Sequence, residues 1–271
     1  MRTMPVDHPF GPPVEEIALP HAPLALVVAQ VTYPLELRID DESFVASFHE
    51  AFRAQYPVLR RSEEMRIEFG ADGPKVLSPQ PVWRLIERES GGWEVTTSRN
   101  FASLSTSQYT SRGDFMARLR RVLEGIQAWI APVYADRFGV RYVCRLSQDD
   151  HLSRLPQLLR GEVAGALTVA LGDEAVSQRH QLIDAQYSCG DASTLRARWG
   201  LIPPNAILDP GVPPLAATSF VLDLDVATEG PRGYSAGELH ELARTFCERQ
   251  YHFFRWSVTD EFLRTFGGNP S

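Results

Sequence analysis

The stretch QRHQLIDAQYSCGDASTLRARWGLI, residues 178–202, decides the fold. Cys189-Gly190-Asp191 is a turn signal, so the segment predicts two strands, Gln178–Ser188 and Thr194–Ile202, folded into a hairpin. Hairpin register then sets Asp184 opposite Arg198 and Gln186 opposite Arg196. All four point away from the face of Ile183, Ala185, Leu195 and Trp199.

Other segments extend the pattern outward. In Ser219–Ala227, Phe220, Leu222, Leu224 and Val226 share a face, with Asp223 and Asp225 on the other. In Val140–Leu146, Val140, Tyr142, Cys144 and Leu146 alternate with Arg141, Val143 and Arg145. Further strands are predicted at Leu24–Thr32, Glu64–Phe69, Val82–Arg88, Trp93–Ser98, Phe101–Tyr109 and Val163–Leu171, with a turn at Glu89-Ser90-Gly91-Gly92.

Helices carry their own start signals. Ser43 opens one with Phe44, Phe48 and Phe52 at four-residue spacing, stopped by Pro57. Ser111 with Asp114 opens a long helix whose stripe is Phe115, Leu119, Val122, Ile126 and Trp129. Ser235 with Glu238 opens another, reaching Arg255, and Thr259 caps a last short one. A short helix is also expected near Leu152–Leu159. The five tryptophans fall at core-compatible positions.

The order is therefore hairpins then a long helix, twice over. This predicts an α+β fold of two similar halves, each an antiparallel β-sheet with a long helix packed on one face. Residues 1–23, with six prolines, are an extended lead-in. The N-terminal half is 24–147 and the C-terminal half 148–271, with a seam near 148–162 inside one unit.

Composition bounds the function. The 271 residues carry a net charge of -7, 44% hydrophobic and 23% charged content, as in a globular chain. Of the 27 basic residues only Lys75 is lysine, which fits either codon bias or a use for bidentate arginine contacts. An acidic chain does not favour general nucleic-acid binding. Residues 112–145 nevertheless hold seven arginines against three acids, whereas residues 1–50 hold eight acids and two arginines. Such asymmetry suits steering of a charged partner, or self-association. Three cysteines without C-x-x-C spacing, no apolar signal segment in MRTMPVDHPFGPP, and a longest apolar run of only LALVVAQV predict a cytoplasmic protein without membrane spans.

Catalytic motifs are missing. His240-Glu241 and His49-Glu50 lack the second histidine of a zincin, since Arg244 and Arg53 stand there. Glu248 and His252 are one helical turn apart, as surface pairs often are. No P-loop, dinucleotide fingerprint or serine-hydrolase elbow occurs, and Cys189 reads as an inert turn residue. No cofactor or metal is called for, although Asp223 and Asp225 share a face.

Several segments together resemble a known family: LALVVAQVTYPL, the WRL…GGWEV hairpin, FASLSTSQY, RFGVRYV, FVLDLDV, Leu239-His240 and SVTDEF. It is a sporadically distributed, uncharacterised prokaryotic family defined by a sequence profile. The resemblance spans nearly the whole chain and rests on segment order. It implies no reaction, cofactor or catalytic residue. Its patchy distribution implies a mobile accessory setting, such as a defence or toxin–antitoxin cassette.

The leading expectation is a non-catalytic binding protein whose partner is another protein encoded next door. Arg141, Arg145, Arg196 and Arg198 would grip acidic groups, with Asp184, Asp223 and Asp225 orienting them or meeting basic ones. The plain alternative is a solvated sheet face laced with weak ion pairs. A second class is an enzyme on a small polar or nucleotide-like substrate, using Asp223 or Asp225 with His240. A third is a nucleic-acid binder using the arginines of 112–145.

Overall fold

The 178–202 hairpin forms one edge of a single antiparallel sheet of nine strands. The structure is a computed structural model that describes residues 6–64, 67–70, 73–76, 80–87, 92–169, 171–172, 176, 178–207 and 211–270. The strands are β1 (Leu24–Thr32), β2 (Val58–Glu64), β3 (Gln80–Ile86), β4 (Trp93–Ser98), β5 (Phe101–Thr106), β6 (Arg137–Leu146), β7 (Gln181–Cys189), β8 (Ser193–Ile202) and β9 (Ser219–Thr228). Their order across the sheet is β7-β8-β9-β6-β1-β5-β4-β3-β2. The α+β class with antiparallel pairing holds, but one continuous sheet replaces two separate ones. The join is the β1–β6 pair, in which Val27 meets Tyr142 and Val28 meets Arg141.

Four helices matter here: α1 (Glu42–Glu50), α2 (Arg112–Trp129), α3 (Ala236–Ser257) and α4 (Asp260–Thr265). The predicted starts of the last three are those observed. Ser111 Oγ accepts from the Asp114 amide, Ser235 Oγ from Glu238 and Thr259 Oγ1 from Phe262. The apolar stripes of α2 and α3 cover the same side of the sheet. They bury Phe115, Leu119, Val122 and Ile126 with Leu239, Ala243, Phe246 and Phe253 against Val140, Leu195, Leu224 and Val226. Gly125 lets the Phe52 ring, just past the end of α1, pack onto α2, because a Cβ there would fall 2.2 Å from Phe52 Cζ.

Several expectations fail locally. Asp41, not Ser43, caps α1, its carboxylate accepting from the Ser43 amide at 2.8 Å. Phe52 lies beyond the helix end yet remains buried beside Phe48, with ring centroids 4.9 Å apart. Val163–Leu171 is not a strand: Gly161–Ala164 and Gly165–Thr168 are short helical turns. A brief apolar run between glycines reads alike as a buried strand or turn, and the Val163 carbonyl here accepts the Trp199 indole N–H. The predicted strand Glu64–Phe69 is split: Glu64 ends β2, which pairs with β3, Ile67–Phe69 belong to a separate small hairpin of Ile67–Gly70 and Gly73–Val76, and Met65 and Arg66 lie outside the described residues. Trp129 is 37% exposed at the end of α2, whereas Trp83, Trp93 and Trp199 are buried. The predicted turn residues Glu89, Ser90 and Gly91 lie outside the described residues. Among the described residues no helix is long and apolar enough to cross a membrane.

Because α2 gains an amide partner from Ser111, Ser111→Ala is expected to cost about 1 kcal/mol in urea unfolding, with Ser111→Asp close to the parent. Equal stability of all three chains would show that the cap contributes nothing.

Candidate functional site on the open sheet face

Alternation sends every second strand residue to the side away from α2 and α3. In β1, β5 and β4 that side carries Gln30, Ser103, Ser105, Glu94 and Thr96. In the other half it carries Arg137, Arg141, Arg145, Asp184, Gln186, Arg196, Arg198, Asp223 and Asp225. The hairpin register is as the sequence predicted, with Asp184 opposite Arg198 and Gln186 opposite Arg196.

Arg198 bonds Asp223 directly across the strands, whereas Arg141–Asp223, Arg137–Asp225 and Arg196–Asp184 bond along diagonals. Asp223 accepts a two-pronged contact from Arg141, with Nε–Oδ1 at 2.7 Å and Nη2–Oδ2 at 2.9 Å. Its Oδ2 also accepts from Arg198 Nε at 2.9 Å and from Arg198 Nη2. The Asp223 side chain is 2% exposed, so two guanidiniums roof a carboxylate withdrawn from water. Asp225 takes Arg137 Nη2 at 2.9 Å, and burial pushes its carboxyl pKa up. At the rim Arg196 grips Asp184 with both nitrogens and holds its carboxyl below the usual range.

Arg145 differs from the rest. Its Nε donates to Ser219 Oγ at 3.1 Å and its Nη1 to the Pro213 carbonyl at 2.7 Å. Among the described residues Nη2 is buried without a partner, and no carboxylate is in ion-pair reach. Burial alone lowers its guanidinium pKa. Seven residues singled out from the sequence therefore do meet on one face. Six are already paired among themselves or with Arg137, and among the described residues Arg145 lacks a counter-ion.

Two competing arrangements do not assemble. His240 lies on α3, its Nε2 3.1 Å from the Met116 carbonyl of α2, while Asp223 and Asp225 face the opposite side of the sheet. No Asp–His pair converges there, and both Asp223 oxygens are occupied by arginine rather than open to a metal. The arginines of 112–145 also separate. Arg112 pairs with Glu16, Arg118 with Glu87 and Asp114, and Arg120 with Glu124, all on the helix side, whereas Arg137, Arg141 and Arg145 lie across the sheet. Glu248 bonds Arg244 rather than His252, which is buried. Cys144 and Cys247 have thiols pushed up by burial to about 12 and about 11. Sequence reasoning missed Arg137, whose bond to Asp225 crosses from β6 to β9, strands 88 residues apart in the chain.

Comparison of the chain with protein-family models, with curated proteins and with solved structures returned no match.

Removing one member of the buried cluster leaves charges without a partner. Asp223→Ala is expected to destabilise by about 3–5 kcal/mol in chemical unfolding. Asp184→Ala, at the wet rim, should cost under about 1 kcal/mol. Similar small losses for both would show that the Asp223 cluster is no more than a surface pair.

Proposed function

We propose that the chain is a non-catalytic binding protein whose open sheet face receives an acidic segment of a protein partner. One observation carries this reading: Arg145, half-covered and, among the described residues, without a carboxylate, stands beside a cluster in which four arginines meet three aspartates. A chain of net charge -7 thus keeps a local excess of guanidinium on one face. Arg145 would take an incoming carboxylate directly. Arg196 would exchange Asp184 for one, since that pair is exposed and weak. Arg141, Arg198 and Asp223 would hold the face in shape rather than release their mutual bonds. Its nine strands place no tryptophan or tyrosine on this face, which disfavours stacking of nucleic-acid bases.

The two-halves reading belongs here as well. β1 with β5, β4, β3 and then α2 repeats the order of β6 with β9, β8, β7 and then α3 on either side of the β1–β6 join. We infer that the halves are similar units fused edge to edge, with the charged version of the face in the second. The family resemblance adds the proposal of a mobile prokaryotic defence or toxin–antitoxin cassette, acting in the cytoplasm, with the partner encoded next door.

Co-expression with the product of the adjacent gene tests the reading. Stable co-purification is expected, weakened at least tenfold by Arg145→Glu with Arg196→Glu, with thermal unfolding little changed. A chain that elutes alone, or retention untouched by both reversals, would overturn it. Salt-dependent retention on DNA without the partner would instead favour nucleic acid.

A further inference from the structure

On the opposite side of the sheet, between the two long helices, lies a cavity of about 140 Å³. Tyr142 and Cys144 of β6 with Leu222 and Leu224 of β9 line it from the sheet. Cys247, Gln250 and Phe254 line it from α3, and Tyr109 to Arg112 from the start of α2. The lead-in closes the remaining side. Its Ile17 amide donates to Tyr251 Oη at 2.7 Å, Glu16 pairs with Arg112 at 3.3 Å, and the His21 amide donates to the Phe266 carbonyl at 3.2 Å.

Gln250 separates this space from a packing gap. It is 2% exposed. Its Nε2 donates to the Val140 carbonyl at 2.6 Å and to the Leu224 carbonyl at 2.9 Å. Both partners are acceptors, so the amide cannot be turned round, and Oε1 is fixed as the acceptor left over. Among the described residues that buried oxygen has no hydrogen-bond partner. A buried acceptor without a donor is costly, and here it belongs to a side chain that lines an otherwise apolar space. The Tyr142 hydroxyl is already used on Cys247 Sγ at 3.4 Å. The deep wall carries no ionised group, as the charged pair Arg112–Glu16 stands at the lead-in.

Size narrows the occupant. An apolar cavity of about 150 Å³ accommodates benzene. We propose that this cavity binds a small neutral aromatic molecule, one ring in size, with an N–H or O–H donor directed at Gln250 Oε1. The apolar lining would hold the ring, and Gln250 would select for the donor. The site is independent of the open sheet face, because the sheet separates the two.

Phenol, with benzene as the donor-free comparison, is the direct probe, read by calorimetry and thermal shift on the full chain. Saturable phenol binding is expected, with benzene about tenfold weaker. Gln250→Leu should abolish that preference while leaving some affinity for both. Should that variant fold poorly, Cys144→Phe and Cys247→Leu, which occupy the space from two walls, should each weaken phenol binding while retaining the native circular dichroism. No saturable binding, equal binding of benzene and phenol by the parent chain, or unchanged binding by both filled variants would overturn the proposal.

Discussion

A carboxylate with almost no access to water sits between two guanidiniums at Asp223, and the middle of the open sheet face is arranged around it. Arg141 arrives from β6 and Arg198 from β8, so the cluster spans three adjacent strands on the side that α2 and α3 leave uncovered. Withdrawing a charge from water is unfavourable unless partners offset it closely, and here both oxygens are engaged. The constraint runs in both directions. The strands must keep their register for these contacts to close, and the contacts penalise a slip that would move Asp223 to the apolar side.

That arrangement changes what the charged face can do. Residues held by one another are poor hooks for a partner, whereas a cation without a counter-ion is a good one. Among the described residues Arg145 is of the second kind, and Arg196, at the wet rim, can become so. The other side of the sheet follows different physics: apolar packing between α2, α3 and the strands, interrupted where Gln250 keeps an acceptor unused. One sheet thus separates an ionic surface from a dry interior.

Much of the framework was legible in the residues. The turn at Cys189-Gly190-Asp191 fixed the register of its hairpin, since a short loop leaves little choice in pairing. Ser111, Ser235 and Thr259 marked helix starts because their hydroxyls satisfy amides that nothing else can reach. What escaped depended on neighbours distant in sequence. Alternation told that Asp223 and Arg198 share a face, but not that β6 would lie next to β9 and bring Arg141 and Arg137 across. The single nine-stranded sheet was hidden for the same reason, as the β1–β6 pair joins segments about 110 residues apart. Val163–Leu171 misled because an apolar run between glycines suits a turn packed under Trp199 as well as a strand. The lead-in, rich in proline, has no period from which its place over the cavity could be inferred.

Arginine modification by phenylglyoxal, read by peptide mass spectrometry with the adjacent gene product absent and present, tests the central claim at residue level. The account predicts that the partner slows modification of Arg145 and Arg196 and leaves the exposed Arg120 of α2 and Arg244 of α3 unchanged. Protection of Arg120 or Arg244 with Arg145 and Arg196 still reactive would contradict it.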